Sequence, residues 1–428
     1  MSQPIAYGID FGTSNSSIAV AYPSRVASLG TLTDPGVPSM LYLDSLNVTL
    51  VGNEAAQQYM VRFDPTESRL MSSLKLELAT PTHLTTPTTS WGRTWDLEDL
   101  TGLILGDLKK KADESLDADV RRAVIGHPAV FAGAEGDKVQ TLQQLALTRL
   151  EKAARLAGFE QVKFLDEPTA ALKHHKDLKS GNNVALDFGA GTFDVSVIRY
   201  KTRPNRTDVL ATHGVAVGGD RFDGAVFDQA LHERLGFDDL RYGDSIRHAR
   251  TTEGMLWLMR DSNARGRLMH HVHENRQSGL RTLRSILEAG QAYALSQAVE
   301  EAKCQLSKHR RASVELFRPG QEIAISEAVR REDFEESISD DLDQVFDVLD
   351  QTLQEAEITA SDVAQVVLTG GSCMIPAFRR RVRRKFGADQ IRYPSTTGAA
   401  KNPDPGPKYV VASRVALGLA AEARELWS

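Results

Sequence analysis

Short apolar runs that stop at an aspartate punctuate this chain. Residues 5–10 read IAYGID and residues 184–187 read VALD, each followed by Phe and a glycine turn. The pattern predicts two buried strands ending at Asp10 and Asp187. Residues 18–22 (IAVAY) predict a strand paired with the first and residues 40–43 a third, an antiparallel opening. Residues 63–80 predict a helical tract in which Lys75 lies among Leu74, Leu76 and Leu78; on spacing alone it is a solvated or snorkelling side chain. A Thr- and Pro-rich loop over 81–94 precedes a helix over 96–112. Residues 120–131 predict a strand broken at Pro128, and 137–158 a helix with leucines at 142, 145, 147 and 150, closed by Gly158. After a strand over 162–165, DEPTAAL places Pro168 at a helix start. Ala170 and Ala171 there are small enough for close packing on neighbouring backbone. Glu167, at the head of this helix, reads either as a cap or as a ligand-facing acid.

The two apolar runs share a sequel. Asp10-Phe11-Gly12 and Asp187-Phe188-Gly189 both lead into small and hydroxyl side chains. With no Cβ at Gly189 and Gly191, the backbone can approach a ligand and turn N–H groups toward an anion, beside the Thr192 hydroxyl and the Asp194 carboxylate. One copy alone is equally an ordinary hairpin. Two copies suggest duplicated halves facing each other, each contributing an aspartate and a glycine turn to one polyphosphate and its cation.

Composition narrows the classes. A chain of 428 residues exceeds one typical domain, and 41% hydrophobic with 25% charged residues is ordinary soluble composition, so two lobes are expected. A net charge of −6 gives no general reason to expect nucleic acid or an anionic membrane as partner. Two cysteines, Cys304 and Cys373, suggest a reducing compartment. The first residues have no signal-peptide pattern and no stretch approaches a membrane span, so a cytoplasmic protein is expected. Arg379 to Lys385, RRRVRRK, resembles nucleic-acid bait. It falls on a predicted helix whose apolar stripe is Ala377, Phe378, Val382 and Phe386, which makes it a solvated face. The histidines at 270, 271 and 273 lack a cysteine or paired acid at ligand spacing and read as part of a solvated helical segment that also holds Trp257.

In order along the chain, GIDFGTSNS, LDEPTAAL and LDFGAGTFD resemble the nucleotide-binding domain of the Hsp70 chaperones, within the actin, hexokinase and Hsp70 ATPase superfamily. VAVGGDRFD at 215–223, AVEEAKCQLS at 298–307 and VVLTGGSCMIP at 366–376 extend the likeness to about residue 387. It implies an α/β, actin-like ATPase fold of two lobes around a nucleotide cleft, each lobe built on a duplicated, ribonuclease-H-like mixed β-sheet flanked by helices. Lobe I would cover 1–182, with a smaller subdomain about 40–115, and lobe II 183–387, with a helical subdomain about 224–310. Residues 388–428 would return to lobe I through a closing helix over 409–425.

The resemblance also implies roles. Asp10 and Asp187 would hold magnesium, largely through water. Gly12, Thr13, Ser14 and Asn15 would form one phosphate loop. Gly189, Ala190, Gly191 and Thr192 would form the other, with Ala190 standing where the family has a glycine. Lys75 would reach the γ-phosphate of ATP and the attacking water, with Glu167 below the cation and Thr192, Asp194 and Asp10 around the nucleophile. Gly218 and Gly219 would sit by the phosphates and Glu300, Lys303 and Ser307 by the ribose and adenine. Gly370, Gly371, Ser372 and Met374 would complete the adenosine contacts, Met374 replacing a residue often basic in the family.

No sequence like the family's acidic-leucine linker, peptide-gripping β-sandwich and helical lid follows. The chain is therefore expected to lack a peptide-binding domain, as do the short Hsp70-like proteins of the YegD type. The expected function is a slow magnesium-dependent ATPase acting as a nucleotide-dependent switch. It would bind ATP and ADP and be read by co-chaperone or exchange-factor-like partners, as a monomer engaging neither nucleic acid nor membrane. A sugar-kinase-like phosphotransferase on the same fold is the alternative. The EPTAA and E-x-x-K-x-x-x-S matches count against it.

Overall fold

The computed structural model describes residues 3–29, 36–64, 66–81, 88–132, 134, 138–173, 178–202, 205–237, 266, 270, 278–321, 323–392 and 412–428. The histidines at 271 and 273, Trp257 and the first part of the predicted closing helix lie outside them. Among the described residues no helix is long and apolar enough to cross a membrane.

Both aspartate-terminated runs are strands. β1 (Ala6–Phe11) pairs antiparallel with β2 (Asn15–Tyr22), Ala6 opposite Ala21, and β2 continues antiparallel to β3 (Arg25–Ser28) and to β4 (Val37–Pro38). The predicted third strand exists as β5 (Leu41–Asp44), but it joins a different sheet, between β6 (Thr49–Val51) and β7 (Ser68–Met71). The helical tract expected over 63–80 is corrected as well. Its centre is β7, and only Leu74–Glu77 is helical. SRLM buries Ser68, Leu70 and Met71 and pairs along β5, and a strand satisfies that pairing where an isolated helix would not. We number the helices α1 (Asn53–Val61), α2 (Leu74–Glu77), α3 (Leu97–Leu116), α4 (Val139–Leu156) and α5 (Glu167–Lys173). A small hairpin, β8 (Thr88–Ser90) and β9 (Arg93–Trp95), precedes α3. β10 (Arg122–His127) and β11 (Gln161–Asp166) flank α4.

The second half repeats this plan. β12 (Gly181–Phe188), β13 (Phe193–Thr202) and β14 (Asn205–Val215) run antiparallel, β17 (Val363–Thr369) joins β12 in parallel, and β18 (Ile391–Arg392) joins β17 in parallel. The orders are β11-β10-β1-β2-β3 and β14-β13-β12-β17-β18. Each is three consecutive antiparallel strands with two parallel strands added beyond the first, and α4 or α11 (Pro376–Phe386) is the last crossover. The duplication suggested by two DFG strands is thus a duplication of topology, and the α/β fold is of the actin-like ATPase kind. Helices α6 (Gly219–Leu231), α7 (Ser278–Glu288), α8 (Ala292–Leu306), α9 (Arg331–Ser337) and α10 (Ser339–Glu355), the hairpin β15 (Arg311–Arg318) and β16 (Ile323–Arg330), and α12 (Ala412–Trp427) complete the described chain.

The chain forms two compact units, one of residues 1–39, 73–218 and 343–428, the other of 40–72 and 219–342. Both duplicated sheets lie in the first. The second has its own cluster of Met40, Tyr42, Ala55, Ala56, Tyr59, Leu70 and Tyr293. The basic run on α11 spends charge within the first unit, Arg381 on Asp343 and Lys385 on Asp350, while Ala377, Phe378, Val382 and Phe386 are buried as expected.

Helix α12 lies on β1, β2, β3, β10 and α5, with Val415, Ala416, Leu419, Ala420 and Ala423 buried among Ala6, Ala19, Ala21, Val124, Ala170 and Ala171. Small side chains on both surfaces let backbone meet backbone. A Cβ at Gly418 would stand 1.8 Å from the Ala170 carbonyl oxygen. Gly418→Ala is therefore expected to cost roughly 2–4 kcal/mol in urea unfolding, despite alanine's better helix propensity. Gly224→Ala, on α6 with nothing within 4 Å of the new methyl, should be neutral or stabilising. Equal effects of the two substitutions would contradict the close approach.

Candidate functional site

The ends of β1 and β12 hold the acids that their sequences mark. Asp10 and Asp187 are each 8% exposed. In the β12–β13 register Asp187 stands directly opposite Asp194, so two carboxylates share one face at neighbouring positions, an unfavourable cross-strand pair. Asp194 is buried and well bonded. Thr192 Oγ1 donates to its Oδ2 at 2.6 Å, and the backbone N–H of Ala129 donates to its Oδ1 at 2.7 Å, with that of Val130 at 3.4 Å. The break at Pro128 therefore serves to aim two N–H groups at an acid. Gln143 on α4 holds this loop through both ends of its amide, accepting from Phe131 N–H and donating to the Ala129 carbonyl.

Lys75 is not solvated. It is 6% exposed and donates to Glu167 Oε1 at 2.5 Å, with Glu167 itself buried at the head of α5. Glu167 faces Lys75 from the first residue of α5. Burial alone would lower the Lys75 pKa, but Glu167 and then Asp10 outweigh it and raise it.

The glycine turns come together in the first unit. Gly191 stands against Thr13 and Leu76, so close that its Cβ would lie 2.8 Å from Thr13 Oγ1 and 2.7 Å from Leu76 Cδ2. Gly218 lies against the Ala190–Gly191 backbone. Gly370, at φ +82°, packs on Phe188, and Ser372 Oγ donates to the Gly189 carbonyl at 2.8 Å. Gly371 is exposed at the start of a 3-10 turn that ends with the half-buried Met374. Ser39 fastens the first loop, its hydroxyl donating to Gly12 O at 2.7 Å and its N–H to Ser14 O at 2.9 Å, while Asn15 begins β2.

In the second unit, Glu300, Lys303 and Ser307 occupy the C-terminal half of α8 and the residue after it. Lys303 is committed there, its Nζ 2.8 Å from Asp223 Oδ1 and donating to the Gly219 carbonyl at 2.8 Å.

Sequence spacing missed Ser39, Gln143 and Gly214, whose Cβ would lie 2.5 Å from Asp194 Oδ1. A glycine inside β14 was the one local signal for such a close approach.

The electrostatics are one-sided. Burial, then Glu167, push Asp10 up to about 8, with Lys75 pulling the other way. Asp194 rises to about 7, for burial first and Glu167 second. Asp187 lies well above the usual carboxylate range through burial and the charges of Glu167, Asp10 and Asp194. Among the described residues no three His, Cys, Asp or Glu side chains form a direct metal cage.

A stability profile follows. Unfolded, these acids release protons near pH ~4; folded, they hold them to about pH 7–8. The folded state thus binds more protons across that window, and stability of the nucleotide- and metal-free protein falls as pH rises through it. Denaturation midpoints taken from about pH 5 to about pH 8 should decline, and Asp187→Asn should flatten the decline. Midpoints that rise equally in both proteins would contradict the charge excess.

The family model described as Hsp70 protein matches residues 6–235 and 268–396. The chain is 25% identical over 408 residues to the chaperone protein DnaK of Mycoplasmopsis synoviae (strain 53), which covers 92% of this chain and 56% of that protein. It is 26% identical over 394 residues to the chaperone protein DnaK of Mycoplasmopsis agalactiae, covering 89% and 54%, and 25% identical over 393 residues to that of Thermotoga neapolitana, covering 89% and 55%. The chain spans about half the length of the curated relatives it matches. With duplicated sheets, acids at their matched strand ends and a family match over most of its length, this chain belongs to the Hsp70 family.

Proposed function

We propose that this chain binds ATP and ADP with magnesium and hydrolyses ATP slowly, as a nucleotide-dependent conformational switch whose state partner proteins read. The observation that carries the reading is the buried group of Asp10, Glu167, Asp187 and Asp194 around Lys75, beside two glycine turns that touch. The turns would supply backbone N–H groups to phosphates. Asp10 and Asp187 would hold magnesium through its waters. When bound, magnesium neutralises charge on the phosphates and draws density from the bond to be broken.

The chain's own groups do the rest. Phosphoryl transfer asks for positioning and charge stabilisation more than covalent work. Lys75 supplies a buried cation to the γ-phosphate oxygens and orients the attacking water. Asp194, whose proton affinity suits exchange near neutrality and whose orientation Thr192 and Ala129 fix, accepts a hydrogen bond from that water. Glu167 holds Lys75 and carries negative charge toward the cation. Gly12, Thr13, Ser14, Asn15, Gly189, Ala190, Gly191 and Gly218 contact phosphates, and Gly370, Gly371, Ser372 and Met374 the nucleoside. For Gly219, Glu300, Lys303 and Ser307 the support is the family resemblance of their sequence.

Truncating Lys75 should remove transition-state stabilisation and leave ADP affinity nearly unchanged. Single-turnover hydrolysis by Lys75→Ala is expected to slow by roughly 10² to 10³, about 3–4 kcal/mol. Asp187→Asn should instead weaken ATP and ADP together, in a magnesium-dependent way. Parental hydrolysis by Lys75→Ala would remove the lysine from the chemistry. ATP should also bind in preference to GTP in calorimetry; equal affinities would count against the assigned nucleoside contacts.

A further inference from the structure

Helix α2 carries Lys75 and cannot hold its own shape. It has four residues, and its N-cap Ser73 is left-handed at φ 57°. Its turns close with Leu76 N–H on Ser73 O at 2.9 Å and a long bond from Leu78 N–H to Lys75 O at 3.4 Å. So short a helix stays far below the length at which helices persist unaided; Thr80 N–H closes on Glu77 O at 3.0 Å, and the Leu78 and Thr80 carbonyls lie past its end.

Arg149, on α4, meets those carbonyls. It is 5% exposed, and its Nη1 donates to Leu78 O at 2.8 Å, Thr80 O at 2.7 Å and, more weakly, Glu77 O at 3.4 Å. A guanidinium suits the task. Its charge complements the negative end of the helix, and its planar head is rigid where an ammonium's flexible stem is not. Burying that charge is costly in itself, so the contact must be judged by what it fixes. What it fixes is the segment from Lys75 to Thr80, whose other end presents Lys75 Nζ to Glu167.

We propose that Arg149 is a positioning residue. By clamping the carbonyl end of α2 from α4, it holds Lys75 in register with Glu167, and so with the phosphate whose transfer Lys75 assists. The second part rests on the function proposed above; the first stands on the geometry alone. The same α4 holds the Asp194 loop through Gln143, so one helix braces both a lysine and an aspartate of the site.

Two measurements test this on the full chain. The first is amine acylation read by mass spectrometry, comparing Lys75 with Lys109, a buried lysine paired with Asp113 and Asp119 elsewhere in the same unit. Arg149→Met should raise Lys75 labelling about tenfold and leave Lys109 protected, and Arg149→Lys should restore much of the protection. The second is a single-turnover cycle with Lys75→Ala. Arg149→Met should slow hydrolysis by about tenfold with ATP affinity within about twofold, yet add little to the loss already present in Lys75→Ala. Unchanged Lys75 protection would overturn the proposal. So would unmasking of both lysines in both Arg149 variants, or an equal slowing by Arg149→Met with and without Lys75. Should the parental chain hydrolyse no ATP, the labelling still decides the positioning role, and only the proposed function falls.

Discussion

A cluster of carboxyl groups buried together against Lys75 is the constraint on which the first unit turns. Asp10 and Asp187 are brought in by strands that occupy equivalent places in two copies of one topology. Asp194 follows from the antiparallel register opposite Asp187, and Glu167 from the helix after β11. No arrangement favoured by packing alone would put these groups together, since each loses water and repels the others. The folded chain accepts this because its sheets hold the acids rigidly, with backbone N–H groups, Thr192 and Lys75 offsetting part of the cost. The rest of the cost remains in the folded protein, which is why these carboxyls hold their protons so far above the usual carboxylate range.

Much of this arrangement is legible in sequence because it is local. The aspartate, the aromatic residue and the glycine turn all fall within a few residues, and a glycine that must admit another backbone announces itself. Lys75 is the opposite case. Nothing in SSLKLELAT distinguishes a buried, paired lysine from one whose stem lies along a surface, since the difference is made by Glu167, far away in sequence. The tract over 63–80 departs from its helical pattern for a related reason. Its leucines fit a helical period, but strand pairing with β5 took the first part and a cap from α4 holds the last. Residues 40–43 show that a short apolar run predicts a strand and is silent about its sheet. Ser39, Gln143 and Gly214 act through tertiary contacts that no spacing encodes.

The site therefore has a supporting layer less evident than its loops. Ser39 ties the first turn, Ser372 the second, and Gln143 the loop that feeds Asp194. These groups bond to backbone carbonyl or N–H groups rather than to each other's side chains. The loops they hold gain rigidity without further charge being added to an already unbalanced centre.

The seat of α12 on β1 has a consequence for the order in which the molecule can be assembled. β1 leaves the ribosome some 400 residues ahead of the helix that covers it, a contact of very high sequence separation. Until then the alanine-rich face of β1, β2 and α5 has no permanent cover, and at ordinary rates of synthesis it waits for tens of seconds. A nascent chain of this protein thus carries an unsealed surface until α12 has been made, in which respect it resembles the substrates of a chaperone.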